Sequence, residues 1–302
     1  MAELIVDAQV HVWAPPTAER PWAPWAESYA DGVKNLSSAE RSPMGPDELL
    51  AEMDTVGVDR AILVPPTFAG DDNRLALEAA RRHPHRFAVM GRIDLTQRDS
   101  DLLSTWLRTT GMLGVRLTFH WGDQRRWLDD GTADWFWPCA QEYDVPVMVY
   151  PPGKLGRIED VARAYPGLRL IVDHFALPLE VREDGIGAVI DELIPLAHYE
   201  NVAVKASALP SYVDERAPFP TLHPHIERVV DAFGAERVFW GSELTRLRCG
   251  YGDVLSLFTD HLDFLTQEQR ASILGGALLA WLGWPTTPAT DDPSKPVRSR
   301  TC

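Results

Sequence analysis

A (β/α)8 TIM barrel is the fold this sequence predicts, and three observations predict it. Eight short apolar or β-branched runs recur along 302 residues, segments of helical periodicity separate them, and the connectors between are short. Alternating β and α of this kind implies a parallel sheet with helices outside it, and eight repeats favour closure into a barrel over an open sheet. Such barrels run to this length as one unit. Residues 1–285 are therefore expected to form a single barrel domain, and 286–302, poor in apolar residues, a disordered tail.

Taken in order, the runs are 4–12, 60–64, 87–93, 113–117, 145–150, 168–172, 202–205 and 238–241. The helical segments are 46–56, 73–83, 99–109, 133–143, 157–165, 186–196 and 222–233, with further helices from 254 to 282. Pro46 suits a first helical position, and Gly57, Gly111 and Gly234 follow helical segments where a left-handed residue is expected. The stretch 13–45 breaks the rhythm. It is long, rich in Pro and Trp, and includes Trp22 and Trp25, which suggests a lid or an interface segment; a homodimer burying it is an open expectation.

Composition bounds the function. With 45% hydrophobic and 24% charged residues the chain can bury a large core. A formal net charge of -15 excludes sequence-independent binding to nucleic acid, and an anionic small-molecule substrate would need a local cationic pocket. The first residues lack a basic segment and a signal-length apolar run, and no stretch approaches eighteen apolar residues. The expectation is a cytoplasmic protein that does not engage a membrane. Cys139, Cys249 and Cys302 are odd in number and without CxxC spacing, so neither a disulfide framework nor a thiolate zinc site is expected.

In such a barrel the site lies at the carboxyl ends of the strands. The polar residues there are Gln9 and His11, Arg92 and Asp94, Arg116 and His120, Tyr150, Asp173 and His174, Lys205, and Glu243, with Arg246 just beyond. A His-x-His pair after the first strand would place two imidazoles on one face; here that face carries Gln9 and His11, and an amide is a poor ligand for zinc-like ions. The pairs His83/His85 and His223/His225 flank prolines and read as solvent-facing. No Gly-x-Gly-x-x-Gly, P-loop or nucleophile elbow is present, so no nucleotide cofactor is indicated.

Asp7-Ala8-Gln9-Val10-His11-Val12-Trp13, Gly57-Val58-Asp59-Arg60-Ala61, Gly114-Val115-Arg116, Val172-Asp173-His174, Val204-Lys205-Ala206-Ser207 and Trp240-Gly241-Ser242-Glu243, in this order and spacing, resemble the amidohydrolase-related family over residues 4 to 284. The resemblance implies a distorted barrel acting as a lactonase, another hydrolase of small carboxylated metabolites, or a non-oxidative decarboxylase. Family metal sites resemble His-x-His after the first strand, histidines after the fifth and sixth, and an aspartate after the eighth. This chain keeps His11 and His174 and departs at Gln9, Tyr150 and Glu243.

The reading that follows is a hydrolase opening a lactone or similar activated ring carbonyl of a carboxylated metabolite, with a lost or remodelled metal site. Glu243 is the general base, its pKa expected to be brought towards working pH by burial. His174 and His11 polarise the carbonyl, Tyr150 donates to the same oxygen, and Arg116, His120 and Lys205 hold the carboxylate; Gln9 meets substrate, and Arg246 is a further binding candidate. No cofactor is expected; a bound zinc or manganese would draw on His11, His174 and Glu243. The alternatives are a metal-dependent decarboxylase of an unsaturated or aromatic acid, and a non-hydrolytic ring-rearranging or ligand-binding barrel.

Overall fold

The computed structural model describes residues 4–24, 26 and 44–286. Most of the expected lid and nearly all of the expected tail lie outside these residues. Eight strands form one sheet in chain order, all recorded pairs parallel: β1 Val6–Val10, β2 Arg60–Leu63, β3 Phe87–Gly91, β4 Met112–Thr118, β5 Val147–Tyr150, β6 Leu170–Val172, β7 Val202–Ser207 and β8 Val238–Gly241. Between them run α1 Pro46–Val56, α2 Arg74–Arg82, α3 Ser100–Trp106, α4 Phe136–Glu142, α5 Leu155–Ala164, α6 Glu183–Leu193 and α7 His223–Phe233. After β8 come α8 Tyr251–Ser256, α9 Gln267–Ala271 and α10 Ala277–Leu282.

Local chemistry explains these bounds. At the start of α1 the Glu48 carboxylate accepts the Gly45 N–H at 2.7 Å, Pro46 occupies a position that needs no donor, and Gly57 ends the helix at φ 81°. Helix α7 buries Ile226, Val229, Val230 and Phe233, the i, i+3, i+4, i+7 stripe of a helix lying on a sheet. The sequence periodicity carries α6 to residue 196, but Pro195 has no N–H for the helical ladder and the chain tightens from Ile194.

The strands are buried on both faces, with only Leu113 of β4 half-buried. Val6, Ala8, Ile62, Val64, Ala88, Met90, Met148, Ile171, Ala203 and Phe239 fill the lumen, and Leu278, Leu282 and Trp284 close its floor. The opposite faces pack on the helices. Two irregularities bear on the site. From Asp7 to Val10, β1 advances three residues while β2 advances two, from Ala61 to Leu63, so β1 carries a bulge. Asp7 then departs from the face shared by Gln9 and His11, where strict alternation would have put all three. At the β8–β1 seam, the Glu243 N–H donates to the Gln9 carbonyl at 2.9 Å and the Ser242 N–H to the Asp7 carboxylate at 2.8 Å. No helix among the described residues is long and apolar enough to cross a membrane.

Candidate active site

The seam positions two site residues at once. Asp7, fully buried, accepts from the Gln9 and Ser242 N–H groups, from the Ser242 hydroxyl at 2.5 Å and from the Tyr251 hydroxyl at 2.8 Å. Burial still dominates those four bonds and pushes its carboxyl up to about 6. Asp7 thus fixes the backbone on either side of Gln9 and Glu243 without facing the lumen.

Glu243 enters from the other side of the seam in a left-handed conformation, φ 55°. Its Oε1 lies 3.0 Å from His11 Nε2, while its Oε2 is buried with no hydrogen-bond partner among the described residues and stands 4.0 Å from His174 Nε2. His11 Nδ1 is 2.6 Å from the Val64 carbonyl, which can only accept, so Nδ1 carries a hydrogen. Nε2 and Glu243 Oε1 are the two ends of one hydrogen bond across the seam. Burial pushes the Glu243 carboxyl up, but His11, His174 and the Arg246 guanidinium more than offset this and hold it well below the usual carboxylate range. This corrects the sequence expectation, which weighed burial and not the facing imidazoles.

His174 follows β6 and is 1% exposed, with Nδ1 2.7 Å from the Ser207 hydroxyl. Burial drives its pKa well below 6.5, so the ring is neutral at pH 7. A neutral ring whose Nε2 faces an anionic oxygen is best served by an N–H there, with Ser207 donating to Nδ1. Its backbone, at φ 54°, begins three consecutive left-handed residues with Phe175 and Ala176; Ala208 after β7 is a fourth. Conformations of this kind cost roughly 1–3 kcal/mol each and persist where surrounding contacts hold them. Here the Tyr150 and Tyr212 hydroxyls both donate to the Leu177 carbonyl, at 2.7 and 2.9 Å. Tyr150 therefore gives its proton to the β6 turn, not to a substrate oxygen as the sequence suggested, and packs between His120 and His174 with ring centroids 5.0 and 5.2 Å away.

Beneath these groups lies a buried ionic floor. Asp173 accepts from Arg116 Nε at 2.9 Å and pairs with Lys205 Nζ at 2.7 Å. Lys205 also donates to Gln9 Oε1 and contacts Met148 Sδ at 3.2 Å. Its ammonium is taken up by Asp173, Gln9 and Met148, so Lys205 is not the carboxylate holder that the sequence reading expected. Arg116 does keep a face on a cleft of about 540 Å3 beyond β3 and β4, lined also by Arg92, Thr118, Gln124, Trp121 and Trp127. Arg92, 5% exposed, donates to the Thr118 hydroxyl at 2.8 Å. Burial lowers the His120 pKa well below 6.5, and the guanidiniums of Arg116, Arg92, Arg246 and Arg125 lower it further. Arg246, partly buried, stacks its guanidinium over the Tyr212 ring at 5.6 Å.

Sequence reading placed Gln9, His11, His174 and Glu243 together, and the structure joins them. It left Asp7, Ser207 and Tyr212 without a role and gave Arg92 none beyond its strand end. Ser207 was the most accessible of these, since it stands two residues after Lys205 and so on the same lumen-facing side. The pairs at 83/85 and 223/225 stand away from the mouth; His223 Nε2 is 2.8 Å from the Pro218 carbonyl.

A divalent ion would have to take its donors from His11, His174 and Glu243. Their arrangement is that of a hydrogen-bonded acid and base, Gln9 has its oxygen turned to an ammonium, and Tyr150 has its hydroxyl on a carbonyl. Among the described residues no group of three or more His, Cys, Asp or Glu side chains is placed to hold a metal. As arranged, the residues do not fit one.

Comparison with known proteins agrees with this fold. Over 284 residues the chain is 28% identical to an L-fucono-1,5-lactonase of Burkholderia ambifaria, covering 90% of this chain and 92% of that one. It is 23% identical over 248 residues to a 4-sulfomuconolactone hydrolase of Rhizobium radiobacter, covering 78% and 74%. An amidohydrolase of Burkholderia multivorans, solved with zinc in one crystal form and HEPES in another, has the same fold: TM-score 0.74 at 22% identity, over 93% of this chain and 100% of that one. The family model described as amidohydrolase matches residues 6–295. The chain belongs to the amidohydrolase family.

Proposed function

We propose that this protein hydrolyses a lactone bearing an anionic substituent, using its own side chains and no metal. The observation that carries the proposal is Glu243: one oxygen is held by His11, and the other is buried, facing His174, with no hydrogen-bond partner among the described residues. That free oxygen is where a water to be deprotonated would sit. The two lactone hydrolases among the chain's relatives support the reaction class.

Water gives a proton to Glu243 Oε2 as its oxygen attacks the ring carbonyl carbon. The resulting oxyanion takes the N–H of His174 Nε2. Collapse restores the carbonyl and breaks the ring C–O bond, and the proton on Glu243 passes to the departing ring oxygen. A carboxyl held as low as Glu243 is a modest base and a strong acid. It suits delivery of the proton to the leaving alkoxide, and carbonyl polarisation in the water-poor lumen supplies the rest. The Arg92 and Arg116 guanidiniums take the anionic substituent, in a cleft whose lining also carries Asp71, Asp94 and Asp123.

The test is a panel of 1,5- and 1,4-lactones, neutral and carboxylated, followed by acid release at constant pH. The reading expects turnover with one proton released per ring opened and a preference for the carboxylated members. No turnover on any lactone, or loss of CO2 from an aromatic acid instead, would overturn it.

A further inference from the structure

The geometry points to Lys205 as a positioning residue that sets the polarity of the Gln9 amide and so presents Gln9 Nε2 as a second N–H donor to the oxyanion. This deepens the lactonase reading and rests on it.

An amide side chain can face either way, and its two ends do opposite things: one accepts, the other donates. What fixes Gln9 is Lys205. An ammonium has donors only, so the atom it meets must be Oε1, and the N–H2 end is turned the other way. Lys205 is itself immobilised by Asp173 at 2.7 Å, and Asp173 by Arg116 at 2.9 Å, so the amide stands at the end of a three-member ionic chain from β4, β6 and β7. On the other side, Gln9's own backbone is pinned by two bonds at the seam, its N–H to Asp7 and its carbonyl from Glu243 N–H, both at 2.9 Å. The result is a Gln9 Nε2 buried in the lumen with no hydrogen-bond partner among the described residues. A buried donor left unsatisfied costs roughly 1–3 kcal/mol. That cost is relieved whenever a bound group accepts from it, and a carbonyl oxygen acquiring charge accepts more strongly than one at rest.

Gln9 lies two residues before His11 on the lumen-facing side of the bulged strand, beside the seam that also carries Glu243. The amide therefore enters from β1 while His174 enters from β6. Two N–H groups from separate strands would then converge on one oxygen. In this arrangement Lys205 touches no substrate, and its effect on rate passes through Gln9.

The experiment is a kinetic cycle on the lactone the wild type opens fastest, with Gln9→Met, Gln9→Glu, Lys205→Met and the double variant Gln9→Met/Lys205→Met, each checked for cooperative unfolding. Gln9→Glu keeps an oxygen for Lys205 and lacks the N–H. Both Gln9 variants should lose about 100- to 1000-fold in kcat, with KM changed less than about threefold. Lys205→Met should lower kcat in the wild-type background and have no further effect in the Gln9→Met background. Gln9→Met with kcat within about threefold of wild type, or fully additive losses in the double variant, would overturn the inference. Should Lys205→Met not fold, the Gln9→Met and Gln9→Glu values decide. Should the wild type open no lactone, the lactonase reading fails by itself, and the inference is judged by NMR on the Gln9 side-chain NH2 pair, identified by its loss in Gln9→Met. Exchange with water at least about tenfold faster in Lys205→Met than in wild type supports positioning; unchanged exchange overturns it.

Discussion

Replacing Asp7 by Asn separates two effects of the seam carboxylate that act in opposite directions. Asn keeps an oxygen for the Gln9 and Ser242 N–H groups, at the site where Asp7 Oδ1 now receives both. Its amide nitrogen takes the place of Oδ2, so the Ser242 and Tyr251 hydroxyls must turn from donating to accepting, and Ser242 Oγ already accepts from Leu244 N–H. That rearrangement costs about 1 kcal/mol and does not depend on pH. The second effect does. Burial raises the Asp7 carboxyl from its ordinary 3.8 to about 6 in the folded protein. Between those values the native state binds more protons than the unfolded chain, so Asp7 costs stability as pH rises through the interval, by about 3 kcal/mol at 1.36 kcal/mol per pH unit. Asn carries no such penalty. Urea unfolding of both proteins between about pH 3.5 and 6.5 should therefore show the stability difference moving towards Asn by about 3 kcal/mol. A difference constant within about 1 kcal/mol, or one that moves towards Asp, would refute the reasoning that burial outweighs the four hydrogen bonds.

The same physics gives other outcomes. Asp173→Asn leaves Lys205 and Arg116, both nearly inaccessible, without their shared anion; urea titration should show a loss of about 3–5 kcal/mol, and a loss under about 1 would mean the floor is solvated. Exhaustive chelation should leave lactone turnover unchanged, since Glu243 Oε1 is taken by His11 and His174 Nδ1 by the Ser207 hydroxyl; loss of activity restored by zinc or manganese would contradict this. Arg92→Met should raise KM for a carboxylated lactone about 10- to 100-fold, the worth of a charged hydrogen bond, and leave a neutral lactone nearly unaffected.

Much of the barrel was legible because strand burial on both faces writes itself as apolar runs. All eight runs became strands, with ends displaced by a residue or two. The run beginning at 145 starts pairing at Val147, after Pro146, which has no N–H for a ladder. The β7 run continues to Ser207 through Ala206, small residues that pattern reading discounts. The β1 bulge was not legible, since alternation assumes an unbroken ladder and would put Asp7 on the face of Gln9 and His11. At the site, the membership of His11, His174 and Glu243 followed from strand ends alone. What each side chain does there depends on partners from distant strands: His11 meets Glu243 across 232 positions and Lys205 meets Gln9 across 196. The direction of the Glu243 shift depends on whether burial or two imidazoles win, a balance that spacing along the chain does not encode.

The central claim is that the free oxygen of Glu243 deprotonates the attacking water. Its most direct test is the turnover of Glu243→Gln on a lactone the wild type opens, with unfolding monitored alongside. The account predicts that kcat falls by about 100- to 10000-fold, the usual worth of a general base, in a protein that still unfolds cooperatively. A folded Glu243→Gln variant with kcat within about tenfold of wild type would contradict it.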